Sequence, residues 1–401
     1  MAPRVFVGVD IGKASHYAVG IDEAGETVHR QAVDNAEGSL GELVRWAVEH
    51  EAALVVDQPG GTAALLLRLC WSAGVAVGYL HGTAMARARD FYAGEGKTDP
   101  KDAFVLADVA RTHPRRVVWL EPTDDARARL ELLCGYDADL RADANRLTNR
   151  LRALLGAHRP ALERALGDRL DTRPVLGVLQ KYPSGPALAR AGAKRVATRL
   201  MKQRTRHPEA LADRLAEAAG AQAATVPGAE TAASIVAELA TRLDRVLARR
   251  EQLGEEIEAA FFALPEAAIL ASLPGIGPRL GARITVEIGD IGRFKTPAHL
   301  AAYAGLGPTP RQSGTSIRGN VPSRHGNHRL KDAFFLAAFA SLRHPPSRTY
   351  YNRKRAEGKR HNQAVLCLAR RRVDVLHAML THRSAYRLPA PEPGAQLAES
   401  A

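Results

Sequence analysis

Four aspartates near the start of the chain occupy positions where carboxylates can do chemistry. Asp10 ends the apolar run RVFVGVD, Asp57 ends ALVVD, and Asp99 and Asp102 stand three residues apart in KTDPKDA. Glycines follow both strand acids closely, so the backbone can turn there and expose the carboxylates. An acid at the end of a buried strand costs free energy unless water, a cation or a metal ion balances its charge.

A divalent metal ion is the usual partner of such an acidic cluster. Four acids from three separate segments repel one another at neutral pH, and oxygen-only ligands favour Mg²⁺ or Mn²⁺ over zinc. Two such ions about 3.5–4 Å apart can stabilise the attacking and leaving oxygens of a phosphoryl transfer. Asp10, Asp57, Asp99 and Asp102 are therefore candidate metal ligands and catalytic residues.

The KTDPKDA segment also allows a purely structural interpretation. Asp99 would be a helix N-cap, Pro100 the first helical residue, and Asp102 the acid three residues after the cap. The adjacent Lys97 and Lys101 are candidate contacts to a nucleic acid. The spacing of these residues alone does not decide between a metal site and a helix start.

The positive charge of the chain is concentrated near its C-terminus. The net charge is +13, and residues 311–387 contain 17 Lys and Arg but 3 Asp and Glu. An anionic partner is expected, bound more weakly as the salt concentration rises. Tyr350 and Tyr351 lie in this block and can stack on bases, although a solvated helix face is the alternative. Candidate nucleic-acid contacts in the block are Arg311, Arg318, Arg324, Arg329 and Lys331.

Composition limits the class of protein. A length of 401 residues suggests two or three domains. Cys70, Cys134 and Cys367 lie too far apart for a disulfide framework or a cysteine-based zinc site. No apolar run approaches the roughly 18 residues of a membrane span, and no apolar segment follows a basic start. We expect a cytoplasmic protein without membrane contact.

The pattern of elements divides the chain into three folded regions and a tail. Residues 1–120 begin with a hairpin and then alternate strands and helices, which predicts an α/β domain with a mixed sheet and flanking helices. Residues 121–264 predict a helical, coiled-coil region, and residues 265–387 a mostly α-helical domain. Residues 388–401 are rich in Pro, Ala and Glu and are expected to be disordered.

Two heptad-like series mark the middle region. Apolar residues recur at three- and four-residue steps over 130–154, interrupted by Asp137, and again over 236–257, interrupted by Arg250. Each series predicts a coiled-coil seam, which either dimerises the protein or packs within its own domain. Between the two series, residues 157–228 predict short helices broken by prolines.

A helix-hairpin-helix is predicted at the start of the C-terminal region by LASLPGIGPRLGARI. Its turn contains Gly275 and Gly277, whose backbone N–H groups can approach a phosphate closely. A Gly/Ser/Arg-rich loop, in RQSGTSIRGN, leads from there to a further helix.

Several ordered motifs together resemble one family of proteins. VGVDIGK, VVDQPGG and KTDPKDA resemble the N-terminal domain of the DEDD transposases of the insertion sequence 110 family. The second domain of that family resembles PGIGPRLGARI, FKTPAHLAAYAGLGPTP, SGTSIRGN and GNHRLKDAFFLAA, so that the match covers about 1–115 and 265–345. The resemblance implies a ribonuclease-H-like first domain, similar to Holliday-junction resolvases. It also implies that the four aspartates are the metal-binding tetrad, with Asp57 where the family usually has glutamate.

A serine nucleophile is the second implication of the resemblance. The family's serine lies in the SG pair of the loop, which is Ser313 here, although Ser316 is a close competitor and such serines usually form turns. A hydroxyl needs an activator, and the acidic cluster of the first domain would supply it in a composite site. Arg311 and Arg318 flank Ser313 and can hold the scissile phosphate.

The resemblance further implies an RNA-guided DNA transposase that links DNA covalently to serine. The implied partners are DNA, a structured guide RNA and further copies of the chain in a homo-dimer or tetramer. The implied location is the bacterial cytoplasm, in association with the nucleoid. Three alternatives stay open from the residues. They are a resolvase-like metal-dependent nuclease without a covalent intermediate, an ATPase of the actin and sugar-kinase type suggested by VGVDIGK, and a non-catalytic DNA-binding protein.

Overall fold

The chain forms two compact units, Met1–Asp124 and Asp125–Ala401. The computed structural model describes residues 3–92, 98–122, 124–313, 317–322 and 326–388, with the backbone alone for Thr83, 308–313 and 317–322. The predicted disordered tail lies outside the described residues from residue 389 onward.

The first unit is built on a mixed sheet. Its strands are β1 (Val5–Asp10), β2 (Ser15–Asp22), β3 (Thr27–Asp34), β4 (Ala52–Val56), β5 (Val77–Tyr79) and β6 (Val118–Trp119), in the order β3-β2-β1-β4-β5-β6. β1 is antiparallel to β2 and parallel to β4. The flanking helices are α1 (Glu37–Glu49), α2 (Ala64–Ser72), α3 (Gly82–Arg89) and α4 (Asp99–Thr112), with short 3-10 turns at Gly61–Ala63 and Pro114–Arg116. The predicted mixed sheet with flanking helices is confirmed, and its ribonuclease-H-like identity stays a prediction.

Helices cover both faces of the sheet, which is why β1 and β4 are apolar along their length. On one face, Val7, Val9 and Leu54 pack against α1 and α2. On the other face, Val55 packs against α4 around Leu106.

Gly8 allows α4 to lie directly on β1. A methyl group at residue 8 would lie 1.9 Å from the carbonyl oxygen of Ala103 and 2.6 Å from the backbone nitrogen of Ala107, so only glycine fits. Ala103 and Ala107 are themselves small and buried. This close approach of helix and strand fixes where the first turns of α4 lie along β1.

The second unit is mostly helical. Its helices are α5 (Asp125–His158), α6 (Pro160–Leu166), α7 (Arg173–Lys181), α8 (Gly185–Lys202), α9 (Pro208–Gly220), α10 (Ala229–Phe262), α11 (Ala267–Ala271), α12 (Pro278–Ile288), α13 (Pro297–Tyr303), α14 (His328–Ala340), α15 (Pro345–Ala356) and α16 (His361–Thr381). One hairpin, of β7 (Pro308–Ser313) and β8 (Ile317–Pro322), interrupts them, and 3-10 turns lie at Gly167–Arg169, Ile291–Arg293 and Ser341–Arg343. Among the described helices, none is both long and apolar enough to cross a membrane.

The two predicted seams pack against each other within the chain. Leu130 near the start of α5 shares a core with Ile257 near the end of α10, whereas Leu151 shares a second core with Val236. The two long helices are therefore antiparallel. The short helices α6–α9 cover the Leu151 end, and the helices from α11 onward cover the Leu130 end. Burial of the seams thus requires no second copy of the chain.

The polar interruptions of the two seams meet as an ion pair. Arg250 Nε lies 3.1 Å from Asp137 Oδ1, and Arg279 Nη1 lies 3.6 Å from the same oxygen. Asp137 is buried, so its charge needs these cations. The pair also fixes the register of α5 against α10, because only this alignment places the acid beside the arginine.

Substituting Asp137→Ala should destabilise the second unit by about 2 kcal/mol, because Arg250 and Arg279 would then face each other without an anion. Urea unfolding followed by circular dichroism measures the change. The control is Asp139→Ala, which removes an exposed acid from the same helix and should leave the midpoint within the wild-type error. Equal midpoints for both variants would contradict a structural role for the ion pair.

Candidate functional site

Asp10 and Asp57 lie side by side at the carboxyl ends of two neighbouring parallel strands. Val9 is paired with Val56, so the next residue of each strand reaches the same edge of the sheet. The backbone N–H of Ile11 donates a hydrogen bond of 3.2 Å to Asp57 Oδ1. Both acids are partly buried. Two of the four predicted ligands are therefore brought together by strand register alone.

The contact between β1 and α4 brings Asp102 to the same edge. Residues alternate across a strand, so Asp10 belongs to the face that carries Phe6 and Gly8, which is the face covered by α4. Asp102 directly precedes Ala103, whose carbonyl lies over Gly8, and it is 3% exposed. A buried carboxylate from the helix thus lies near the end of β1.

The helix start that carries Asp99 differs from the expected one. The N-cap is Thr98, not Asp99; Asp99 is the first helical residue and Pro100 the second, where the missing N–H of proline costs nothing. The N–H of Asp102 bonds the carbonyl of Thr98 at 3.0 Å, and the Thr98 side chain makes no capping bond among the described residues. The predicted capping box is wrong, so capping does not explain Asp102. Asp99 itself is exposed, and Lys97 lies outside the described residues.

Arg89, which no pattern in the sequence indicates, balances the charge of Asp102. It is the last residue of α3, and its Nε lies 3.3 Å from Asp102 Oδ1. Within the described part of the chain, neither of these two atoms makes a hydrogen bond, although both are buried. The contact is an ion pair without hydrogen-bond geometry.

His16 is a second residue that sequence reasoning missed. It is buried under the turn between β1 and β2, and neither ring nitrogen has a hydrogen-bond partner among the described residues. Burial lowers the pKa of His16 below its ordinary value, against the smaller opposing effects of Asn35, Gly12 and Asp57. A neutral imidazole therefore lies close to the acidic edge. The alternation of β2 made it look like an ordinary core residue.

The donor set suits a hard divalent cation. The candidate ligands are carboxylate oxygens, and the buried Asp102 Oδ1 lacks a hydrogen bond to any described residue. As the side chains stand, no three described acidic, histidine or cysteine residues form a group that would hold one ion. Asp102 faces Arg89 instead. The chemistry of the residues fits Mg²⁺ or Mn²⁺, and closure of the cluster requires movement of side chains.

The serine predicted to lie in a loop lies instead at the end of a strand. Ser313 is the last residue of β7 and is paired with Ile317, while Arg311 is paired with Gly319 and Arg318 with Gln312. Ser316 and Arg324 lie outside the described residues. The structure therefore places Ser313 at the tip of a two-stranded hairpin.

Contacts at the base of the hairpin hold its two ends together. Gly326 has φ of +112°, and a methyl group there would lie 2.6 Å from the backbone nitrogen of Gly305. Asn327 donates its backbone N–H to the carbonyl of Tyr303 at 2.7 Å and its side-chain amide to Glu287 at 2.6 Å. The predicted phosphate contact Arg329 is exposed, with Nη1 4.0 Å from Glu287.

The glycine turn PGIG connects α11 to α12. Gly275 has φ of +86°, and a methyl group there would lie 2.4 Å from the carbonyl oxygen of Ala337, so this glycine serves internal packing. The carbonyl of Pro274 accepts a hydrogen bond from Arg372. Burial lowers the pKa of the Arg372 guanidinium to about 10. A side chain at Gly277 would meet no described atom within 4 Å. A phosphate contact in this turn stays a prediction, and Gly277 is the more accessible of the two.

Three cationic side chains lie around the ring of Tyr350 in the second unit. The guanidinium carbons of Arg353 and Arg371 each lie 5.0 Å from its ring centroid, and Lys354 Nζ lies 5.6 Å away. The hydroxyl of Tyr351 lies 2.8 Å from His361. Tyr350 therefore contacts cations of its own chain, and stacking of the two rings on bases stays a prediction. The candidate contacts Lys101, in the first unit, and Lys331 are partly buried.

Comparisons with known proteins match the chain to transposases and to proteins of insertion elements. The IS110-type DEDD transposase model matches residues 7–160, and the model described as "Transposase IS116/IS110/IS902 family" matches residues 267–352. The chain is 44% identical to the insertion element IS110 uncharacterized 43.6 kDa protein of Streptomyces coelicolor, with 96% of each chain covered. It is 41% identical to the IS116 protein of Streptomyces clavuligerus over 97% of each chain. It is also 32% identical to the pilin gene-inverting protein of Moraxella bovis, over 32% of this chain and 42% of that one.

A Gly8→Ala substitution should destabilise the first unit by about 1–3 kcal/mol, because the new methyl group forces α4 away from β1. Urea unfolding measures the effect. Gly38→Ala is the matched control, since a methyl group at residue 38 meets no described atom within 4 Å. If both variants unfold at the wild-type midpoint, α4 is not held at Gly8.

Tyr350→Leu should weaken binding to duplex DNA by about three- to tenfold, because each cation loses an aromatic partner worth about 0.5–1 kcal/mol. Fluorescence anisotropy across a salt series measures the affinity. Tyr350→Phe keeps the ring and should bind as wild type does. Equal losses in both variants would show that the hydroxyl, rather than the ring, matters.

Proposed function

This chain belongs to the IS116/IS110/IS902 family of transposases, and we propose that it moves its own insertion element by metal-dependent, serine-mediated strand transfer. The resemblance inferred from the motifs is confirmed by matches to both domains and by relatives that cover nearly the whole chain. The protein is accordingly a DNA transposase or recombinase, and its metal, nucleophile and guide are the parts that we propose. The ATPase and the non-catalytic DNA-binding protein are set aside on this ground.

The observation that carries the proposal is the convergence at one edge of the sheet. Strand register aligns Asp10 with Asp57, and the close contact at Gly8 brings the buried Asp102 to the same edge. Acids at one edge of a sheet repel one another, and a bound cation would offset that cost. Asp99, one turn earlier on α4, would complete the set as the exposed member.

The four aspartates would hold Mg²⁺ or Mn²⁺, which supplies charge stabilisation for the phosphoryl transfer. Asp57 carries a shorter side chain than the glutamate usual in the family, and the Ile11 N–H fixes one of its oxygens. His16 lies close to this edge, and its burial lowers its pKa, which favours the neutral imidazole.

Ser313 is the proposed nucleophile. Its hydroxyl oxygen forms a bond to the scissile phosphorus as the bond to the departing DNA oxygen breaks, and a carboxylate of the acidic cluster takes the hydroxyl proton. The result is a DNA strand joined to serine and a free DNA hydroxyl. Attack by another DNA hydroxyl reverses the step, rejoins the DNA and releases the serine. Arg311 and Arg318, near Ser313 in the hairpin, would hold the phosphate.

Partners complete the proposal. DNA is the substrate, and the cation cluster around Tyr350 supports binding to its phosphates. A guide RNA and a homo-dimer or tetramer are the further partners that we propose. The likeness over 32% of this chain to a pilin gene-inverting protein of Moraxella bovis supports a role in DNA rearrangement.

Ser313→Ala should abolish the covalent protein–DNA adduct, because it removes the hydroxyl oxygen that is proposed to bond to the scissile phosphorus. Denaturing gel electrophoresis of labelled element ends with Mg²⁺ detects the adduct. Asp57→Asn and Asp102→Asn should also lose it, by on the order of 10²-fold or more, while duplex binding stays intact.

Ser316→Ala is the matched control for the serine, and it should form the adduct as wild type does. An adduct in Ser313→Ala that disappears in Ser316→Ala would move the nucleophile to Ser316. Strand cleavage with no adduct in any variant would support the resolvase-like alternative, in which metal-activated water cuts the DNA.

A further inference from the structure

Asp102 is the most buried acid among the described ion pairs of the first unit. Its side chain is 4% exposed, against 17% for Asp108 in its pair with Arg111 and 46% for Glu51 in its pair with Arg4, and its partner Arg89 is 29% exposed. Asp102 Oδ1 and Arg89 Nε lie 3.3 Å apart, yet neither atom makes a hydrogen bond to a described residue. The pair therefore balances charge without good geometry.

An ion pair with this geometry offsets only a small part of the free-energy cost of burying its two charges. Removing a carboxylate and a guanidinium from water costs several kcal/mol per ion, and only close, well-aligned hydrogen bonds offset that cost. A carboxylate left alone in the same place is worse still, because its charge is then uncompensated. Asp102 thus needs a cation, and Arg89 supplies one that a better-placed cation can replace.

A divalent ion at the acidic edge would be that better-placed cation. It would carry twice the charge and contact the oxygen directly, and Asp10 and Asp57 reach the same edge. A guanidinium 3.3 Å from the ligand oxygen would repel it. The ion and Arg89 would compete for the charge of Asp102, and the repulsion between them favours the departure of Arg89.

We propose that Arg89 is a resident counterion of Asp102 that a divalent metal ion displaces when it binds. This inference rests on the proposed metal site. It means that the ion must displace Arg89 in order to bind, which lowers the affinity of the site for the ion. Arg89 is able to leave because it is the last residue of α3 and its side chain already reaches solvent. Before displacement it keeps the metal-free first unit stable; afterwards its positive charge is free at the rim of the site, where a DNA phosphate is the natural anion for it.

The experiment measures Mn²⁺ binding to the full chain by calorimetry, without DNA, for wild type, Arg89→Gln and Arg87→Gln. Arg87 is an exposed arginine of the same helix, so its substitution makes the same change in net charge. Arg89→Gln should bind Mn²⁺ about tenfold more tightly than wild type, because the competing cation is gone. Arg87→Gln should match wild type.

Two outcomes overturn the inference in different ways. Equal or weaker Mn²⁺ binding by Arg89→Gln, with binding in wild type intact, leaves the metal site standing and refutes displacement. Absence of Mn²⁺ binding in all three proteins refutes the metal site itself and the displacement with it.

Thermal unfolding keeps the test decisive if Arg89→Gln folds poorly. Without metal, this variant should unfold at a lower temperature than wild type, because Asp102 has lost its counterion, and Mn²⁺ should raise its midpoint more than it raises that of wild type. A variant that stays unfolded with Mn²⁺ present overturns the inference. Arg89→Lys keeps a cation and should bind Mn²⁺ more weakly than Arg89→Gln; equal affinities would show that charge is not the cause.

Discussion

The first unit depends on one close contact between a helix and a strand. Because residue 8 has no side chain, α4 can lie on β1 at backbone distance, and the residues just before Ala103 come to the end of the strand. Strand pairing sets the spacing of Asp10 and Asp57, but only this contact adds a carboxylate from elsewhere in the chain. The position of Asp102 is thus a consequence of backbone packing between α4 and β1.

In the second unit, the matching constraint is the satisfaction of buried charge. The two long helices carry one acid and two arginines at the places where their apolar seams are interrupted, and these residues meet. The seams are buried within the chain, where the two long helices pack against each other and against the shorter helices.

Sequence alone was sufficient where local pattern decides the outcome. The apolar runs that end in Asp10 and Asp57 predicted two buried strands, and the heptad-like steps predicted both long helices together with the residues that interrupt them. It failed where partners come from distant segments. Arg89 and His16 have no distinctive spacing, and the strand that carries Ser313 was hidden by turn-forming residues. The start of α4 was misplaced by one residue, because Thr98 adopts the extended conformation in place of Asp99.

The length of the hairpin sets how far Ser313 lies from its base. The ladder runs over six pairs from Pro308–Pro322 at the base to Ser313–Ile317 at the tip. The backbone of Ser313 therefore lies about 17 Å from the base, at a rise of ~3.4 Å per residue. Because strand faces alternate, a length change of one residue in each arm would turn the tip over, whereas a change of two would alter reach alone. A change of two residues in each arm would therefore move the backbone of Ser313 by about 7 Å along the strand direction without turning it over.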